Sequence, residues 1–550
     1  ERPASWCAAE STVEQREVRI RDMETESTKL VGSTDDDVVE KVRYQTDDVY
    51  FEDKEKQTWE PVNKSDEDIN MTSTIVKYIY SLALLIFSVT MVMSAIFSEQ
   101  TKISISAHPV TALVIFWFLI IWLATVEGGQ GALVGIQPVA SSKYAVTHTK
   151  AYKCTNLAHK GDNMERFIVG RQFLVVLIIF VTNMCGGTGA DATVLGLPAS
   201  VNNIFLGMGL AMILATVMLG QLAAQVVAAN CMLDFINNYF MLFSIYVSLG
   251  IELSGLLHSV YVVQIFFSKV TGHPIESKEP PRSMLQNVAF WFRVLFSTVI
   301  LGFAFAVTIA ALFQGKTTMW SSVPPGASVA IFVILMCFVG LMEGMQIALF
   351  AVVNLPEETL NKAKIAAANC KLTFAENNFA AFLIGRQVLV TVCMFIIAQI
   401  TTLNVVVGKG ENIFNVSDGL QNFFNTGLLG AIITTIVASL AWRIVAATFP
   451  LKFMSNPLIY LIIRFCLILE KTGICSASWL LALMQKEIVN FQPDETFVGD
   501  VDEMEEEDIG ISSFNPRASL LASRRTSQIL AKPDLTNLRA SLLASRRTSQ

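Results

Sequence analysis

The stretch Glu127-Gly128-Gly129-Gln130, followed by Gly170-Arg171-Gln172, returns later as Glu343-Gly344-Met345-Gln346 followed by Gly385-Arg386-Gln387. The first motif repeats after 216 residues and the second after 215. Each copy lies within or at the end of a long apolar run. A charge at the centre of a bilayer costs roughly 2.5–3.5 kcal/mol on insertion scales, so charges kept there are functional candidates by default. Two copies of one costly arrangement, evenly spaced, read as a single site built from two half-sites.

The apolar runs set the fold class. With 53% hydrophobic and 16% charged residues among 550, the composition is that of a multi-pass membrane protein, since soluble chains carry about 25% charged residues. A bilayer core of roughly 30 Å needs about 20 helical residues to cross it. Ten runs meet that length, at 76–97, 109–132, 167–184, 204–229, 240–267, 288–313, 327–353, 379–400, 423–448 and 457–484. Helices are the expected form, because no water is available in lipid to satisfy open backbone groups. The expected domains are a polar, mostly disordered tail over 1–75, a first repeat over 76–267, a linking loop over 268–287, a second repeat over 288–485 and a C-terminal tail over 486–550.

The internal repeat extends past the motifs. Phe167-Ile168-Val169-Gly170-Arg171-Gln172 matches Phe382-Leu383-Ile384-Gly385-Arg386-Gln387, and at an offset of 218 Glu252-x-x-Gly255 matches Glu470-x-x-Gly473. Five spans per unit is an odd number, so two units in series must enter the membrane with opposite orientation. The sequence therefore predicts an all-α membrane protein of ten helices in two inverted repeats, an architecture that places solute near the midplane between the repeats. Loop charges do not set the orientation. Lys and Arg number seven on the side of the termini and eight on the other, and the positive-inside rule needs an imbalance.

Several function classes fit poorly. The net charge of −7 resides in acidic tails such as Asp500 to Asp508, which offer nucleic acid no basic platform. The nine Cys lack C-x-x-C spacing and the five His form no clusters, so neither a metal centre nor an enzyme is expected. Cys231 and Asp234 by themselves are too few ligands for a metal site.

The motif chemistry is more informative. Residues three apart share a helix face, so Glu127 and Gln130 point together, as do Glu343 and Gln346. Gly128 and Gly344 remove bulk beside them and admit close approach. Arg171 and Arg386 each need an anion, and Glu127 and Glu343 can supply one by bidentate pairing. Gln130, Gln172, Gln346 and Gln387 are neutral and can donate and accept, which suits an uncharged solute covered in hydroxyls. Glu127 and Glu343 can alternatively give hard oxygen ligands to a small cation, with Glu252 and Glu470 as second candidates. Arg443 falls where the first repeat has Gln225, so the halves differ there.

Two E-G-x-Q motifs, each followed by G-R-Q, in a chain of ten spans resemble the silicon transporters of diatoms. Cys231-Met232-Leu233-Asp234 is similar to a C-M-L-D sequence of that family. The resemblance implies silicic acid as the transported solute, Na⁺ as the coupling ion of a symport, a plasma-membrane location and cytosolic termini. Other small polar solutes such as borate, glycerol or urea remain as alternatives, as does a membrane sensor that binds solute without moving it. The tail carries RASLLASRRTSQ twice, at 517–528 and 539–550. Thr526, Ser527, Thr548 and Ser549 follow paired arginines and resemble sites for a basophilic kinase.

Overall fold

The computed structural model describes residues 64–105, 107–137, 139–188, 192–272, 282–320, 322–352, 360, 362–375, 378–494 and 497. The chain divides into two units, Glu1–Met71 and Thr72–Gln550, and the second holds the helical bundle. The tail residues Thr526, Ser527, Thr548 and Ser549 lie outside the described residues.

Every extended element among the described residues is a helix. Eight are long and apolar enough to cross a membrane. They are α1 (Lys64–Phe97), α2 (Pro109–Gly135), α3 (Asn163–Gly186), α4 (Leu210–Asn230), α6 (Met284–Phe313), α7 (Pro325–Val352), α8 (Asn378–Thr401) and α9 (Leu428–Thr448). Their outer faces are apolar, as lipid requires. On α6 the exposed row Val288, Phe292, Leu295, Val299 and Phe303 runs at helical spacing.

The expected fifth and tenth spans are not continuous helices. The fifth is split into α5a (Tyr239–Leu253) and α5b (Val260–Thr271), and the tenth into α10a (Pro457–Lys471) and α10b (Ala477–Val489). The breaks fall at Gly255 and Gly473, whose φ values of 84° and 74° lie in the left-handed region. A glycine adopts that region without Cβ strain, which explains why the repeated Glu-x-x-Gly ends a helix in both halves. Hydropathy alone counts each pair as one span because apolar residues continue across the break. The fourth and ninth expected spans also begin late, at Leu210 and Leu428, each after a left-handed glycine.

Each break is satisfied from the other half of the chain. Ser81 on α1 accepts a hydrogen bond from the Ala477 N–H and donates to the Ile474 carbonyl at the tenth-span break. Its repeat equivalent, Ser297 on α6, accepts from the Ser259 N–H and donates to the Leu256 carbonyl at the fifth. Freed backbone groups at membrane depth need such partners.

Other contacts also come in matched pairs. A Cβ built on Gly170 would collide with the Ser248 carbonyl oxygen of α5a, and one on Gly385 with the Cys466 carbonyl oxygen of α10a. The motif glycines thus let α3 and α8 cross their neighbours backbone to backbone. Isolated antiparallel bridges join Thr101 to Thr188 and Thr317 to Leu403. Helices α3 and α8 pack on each other, α5b packs on α9, and α10b packs on α4. The two repeats interlock rather than stand side by side.

The C-M-L-D stretch has a partner that no sequence pattern announces. After α10b the chain folds back, and the Asp494 carboxylate accepts from the backbone N–H groups of Met232 (2.7 Å) and Leu233 (2.9 Å). Burial pushes the Asp494 carboxyl up to about 6, while those two donors pull the other way. Asp234 accepts in turn from the Gln492 N–H (2.7 Å) and lies 3.1 Å from His148 Nε2.

Candidate functional site

The buried charges of the two motif pairs meet as their spacing suggests, but through one nitrogen–oxygen contact each rather than the expected bidentate pairing. Arg171 Nη1 on α3 lies 3.3 Å from Glu127 Oε1 on α2, and Arg386 Nη1 on α8 lies 3.4 Å from Glu343 Oε1 on α7. All four residues are buried. Each arginine also donates through Nη2 to the amide oxygen of the next residue, Gln172 at 3.2 Å or Gln387 at 3.0 Å. Arg171 lies in Coulombic range of Glu343, Arg386 and Arg443, so the two clusters share one region of the interior.

The halves differ in the second partner of the carboxylate. Glu127 Oε2 accepts from Gln225 Nε2 of α4 at 2.9 Å. Glu343 Oε2 accepts from Nε of Arg443 on α9 at 2.9 Å, and Arg443 Nη2 also reaches it. The first cluster is therefore a neutral pair, and the second carries one extra positive charge. Gln225 belongs to the site although the repeat pattern does not single it out. Its signal is its alignment with Arg443.

Among the described residues, the side-chain amides of Gln130 and Gln346 make no hydrogen bond, and both are half-buried. They stand one helical turn beyond their glutamates. The glycines of the same motifs are occupied by packing. The rings of Phe235 and Phe453 lie where a Cβ of Gly128 and Gly344 would project, with the Ala224 and Trp442 carbonyls behind. These glycines bring α4 and α9 close to the motif helices.

The second pair of candidate carboxylates is also split in environment. Glu252, buried near the end of α5a, accepts from the Tyr261 hydroxyl at 3.0 Å and lies 3.7 Å from His258 Nε2. In the other half those two neighbours are replaced by Trp479 and Ser476. Glu470 is half-buried, and among the described residues its carboxylate receives no hydrogen bond, with Lys77 and Lys471 the charges in Coulombic range. It borders a small cleft with Ser476, Trp479, Ile384 and Val388.

A family model described as Silicon transporter matches residues 69–537. The chain belongs to the silicon transporter family. The match covers all eight apolar spans and both copies of each motif. The family is one of silicic acid transporters, and the eight apolar spans are those of a multi-pass membrane protein. No curated protein and no solved structure matches the chain.

Proposed function

We propose that the chain is a sodium-coupled symporter that carries silicic acid across the plasma membrane, with cytosolic termini and the two repeats inverted in the bilayer. The observation that carries the solute site is the combination of paired carboxylates and open amides. Glu127 and Glu343 are already engaged by arginine and Gln225, which leaves Gln130 and Gln346 as neutral groups with unused donors and acceptors. Silicic acid is predominantly uncharged near neutral pH and carries four hydroxyls. Replacing its water shell calls for groups that both donate and accept, which Gln130 and Gln346 supply, while Gln172 and Gln387, whose oxygens accept from arginine, add N–H donors.

The inverted arrangement takes each broken pair, α5a with α5b and α10a with α10b, as one crossing, which gives each half five. For the cation, Glu127 and Glu343 fit poorly, because a bound ion would have to displace guanidinium groups. Glu470 fits better. It sits at the C-terminal end of half-helix α10a, the negative end of the helix dipole, beside a small cleft. Glu252 is filled by Tyr261. A basophilic kinase acting on the tail completes the proposal as a regulatory input.

The test is uptake of silicic acid into proteoliposomes that hold the purified chain, with an inward gradient of sodium or of choline. Sodium is expected to accelerate initial uptake several-fold over choline, and Glu470→Gln to abolish that difference. Equal uptake under both gradients would reject coupling. Uptake no greater than in empty liposomes would reject transport itself.

A further inference from the structure

Helices α4 and α9 run through the interior, and each contains a π-helical segment at the repeat-equivalent position, Met218–Leu222 and Thr434–Leu440. A π turn is uncommon and recurs at functional sites, because it widens the helix and weakens its hydrogen-bond ladder. At membrane depth such backbone is tolerated where protein buries it or where it lines a cavity. Each segment also carries buried polar side chains. Gln221 in the first is 1% exposed, and its repeat equivalent Ser439 in the second is 0% exposed. Thr435, one turn before Ser439, is equally buried.

The partners of these groups are incomplete. Thr391 Oγ1 on α8 shares its one hydrogen between Gln221 Oε1 at 2.7 Å and the Gln387 carbonyl at 2.9 Å. Thr391 stands one turn beyond Gln387, so this contact continues the line of the G-R-Q motif along α8. Ser439 Oγ and Thr435 Oγ1 are buried with no hydrogen-bond partner among the described residues. A buried hydroxyl without a partner is penalised. An alanine or valine in its place would remove that penalty; Ser88, Thr182 and Thr308 are unpaired among the described residues too, and what sets Ser439 and Thr435 apart is their place in a π-helical segment.

We propose that Gln221, Thr391, Thr435 and Ser439 contact the solute, extending its path from the glutamines of the motifs into the π-helical windows of α4 and α9. This rests on the reading of the chain as a silicic acid carrier. A small solute with four hydroxyls completes the unpaired groups: it donates to Ser439 or Thr435, accepts from them, and needs no charge at the wall. The window of α9 packs on α3, and the window of α4 reaches α8 through Gln221 and Thr391, so each G-R-Q helix meets one of them.

Ser439→Ala separates the solute role from a structural one. Deleting a hydroxyl without a partner is expected to leave the thermal midpoint of the purified protein unchanged or slightly raised. In proteoliposomes the same variant is expected to raise KM for silicic acid about five-fold, the size of one lost hydrogen bond. Thr391→Val is expected to raise KM as well. Unchanged KM in both variants, with wild-type uptake intact, would overturn the assignment and leave the transport reading standing. Wild-type protein that shows neither uptake nor a thermal shift with silicic acid would overturn both.

Discussion

Arg171→Ala is expected to destabilise the protein by about 3–5 kcal/mol, because it leaves the buried Glu127 carboxylate facing only the amide of Gln225. Arg386→Ala is expected to be milder. Glu343 keeps Arg443, which holds its other oxygen. The two substitutions occupy equivalent positions in the repeat, so a generic cost of losing a buried arginine would weigh on both alike. Yield of monodisperse protein and thermal midpoint in detergent distinguish the cases. The order Arg171→Ala well below Arg386→Ala supports the geometry, and equal midpoints would contradict it. Adding Glu127→Gln to Arg171→Ala removes the stranded charge and is expected to recover most of the loss.

Gly385→Ala is expected to have an effect of similar size by a different route. Its methyl group would overlap the Cys466 carbonyl oxygen on α10a, and a backbone oxygen cannot rotate away as a side chain can. Helices α8 and α10a must then separate, moving Arg386 from Glu343. Overpacking typically costs about 1–3 kcal/mol and more where backbone must shift. Gly250→Ala is the control, since a Cβ there meets nothing within 4 Å. The expected pattern is loss of folded protein for Gly385→Ala and wild-type yield for Gly250→Ala. Wild-type yield for both would mean that α8 and α10a cross with room to spare.

Much of this is legible in the sequence, and for identifiable reasons. A charge inside an apolar run stands out at once, so spacing alone pairs Glu127 with Arg171 and Glu343 with Arg386, as the structure does. Repetition strengthens each assignment, and it sets Arg443 opposite Gln225. The breaks at Gly255 and Gly473 are hidden because hydropathy measures burial in lipid and is blind to φ. The repeated Glu-x-x-Gly is visible as a repeat, yet its meaning as a helix terminus needs the backbone. Gln221 and Thr391 are hidden for another reason. They belong to different halves and have unlike counterparts, so matched motifs do not mark them. The docking of Asp494 on Met232 and Leu233 joins positions 262 and 261 residues apart, a pairing no local pattern encodes. The division between Glu252 and Glu470 is equally invisible, since it depends on Tyr261 and His258 filling space that Trp479 and Ser476 leave open.

At the centre of the proposed mechanism, Gln130 and Gln346 bind the solute as matched halves of one site. Silicic acid uptake by Gln130→Ala and Gln346→Ala proteoliposomes, measured as KM at equal amounts of folded protein, tests that role most directly. Each substitution is expected to raise KM by about five- to ten-fold, in line with one or two lost hydrogen bonds, with thermal midpoints at the wild-type value. Unchanged uptake kinetics in both variants would contradict the shared site and leave the repeated motifs as structural supports alone.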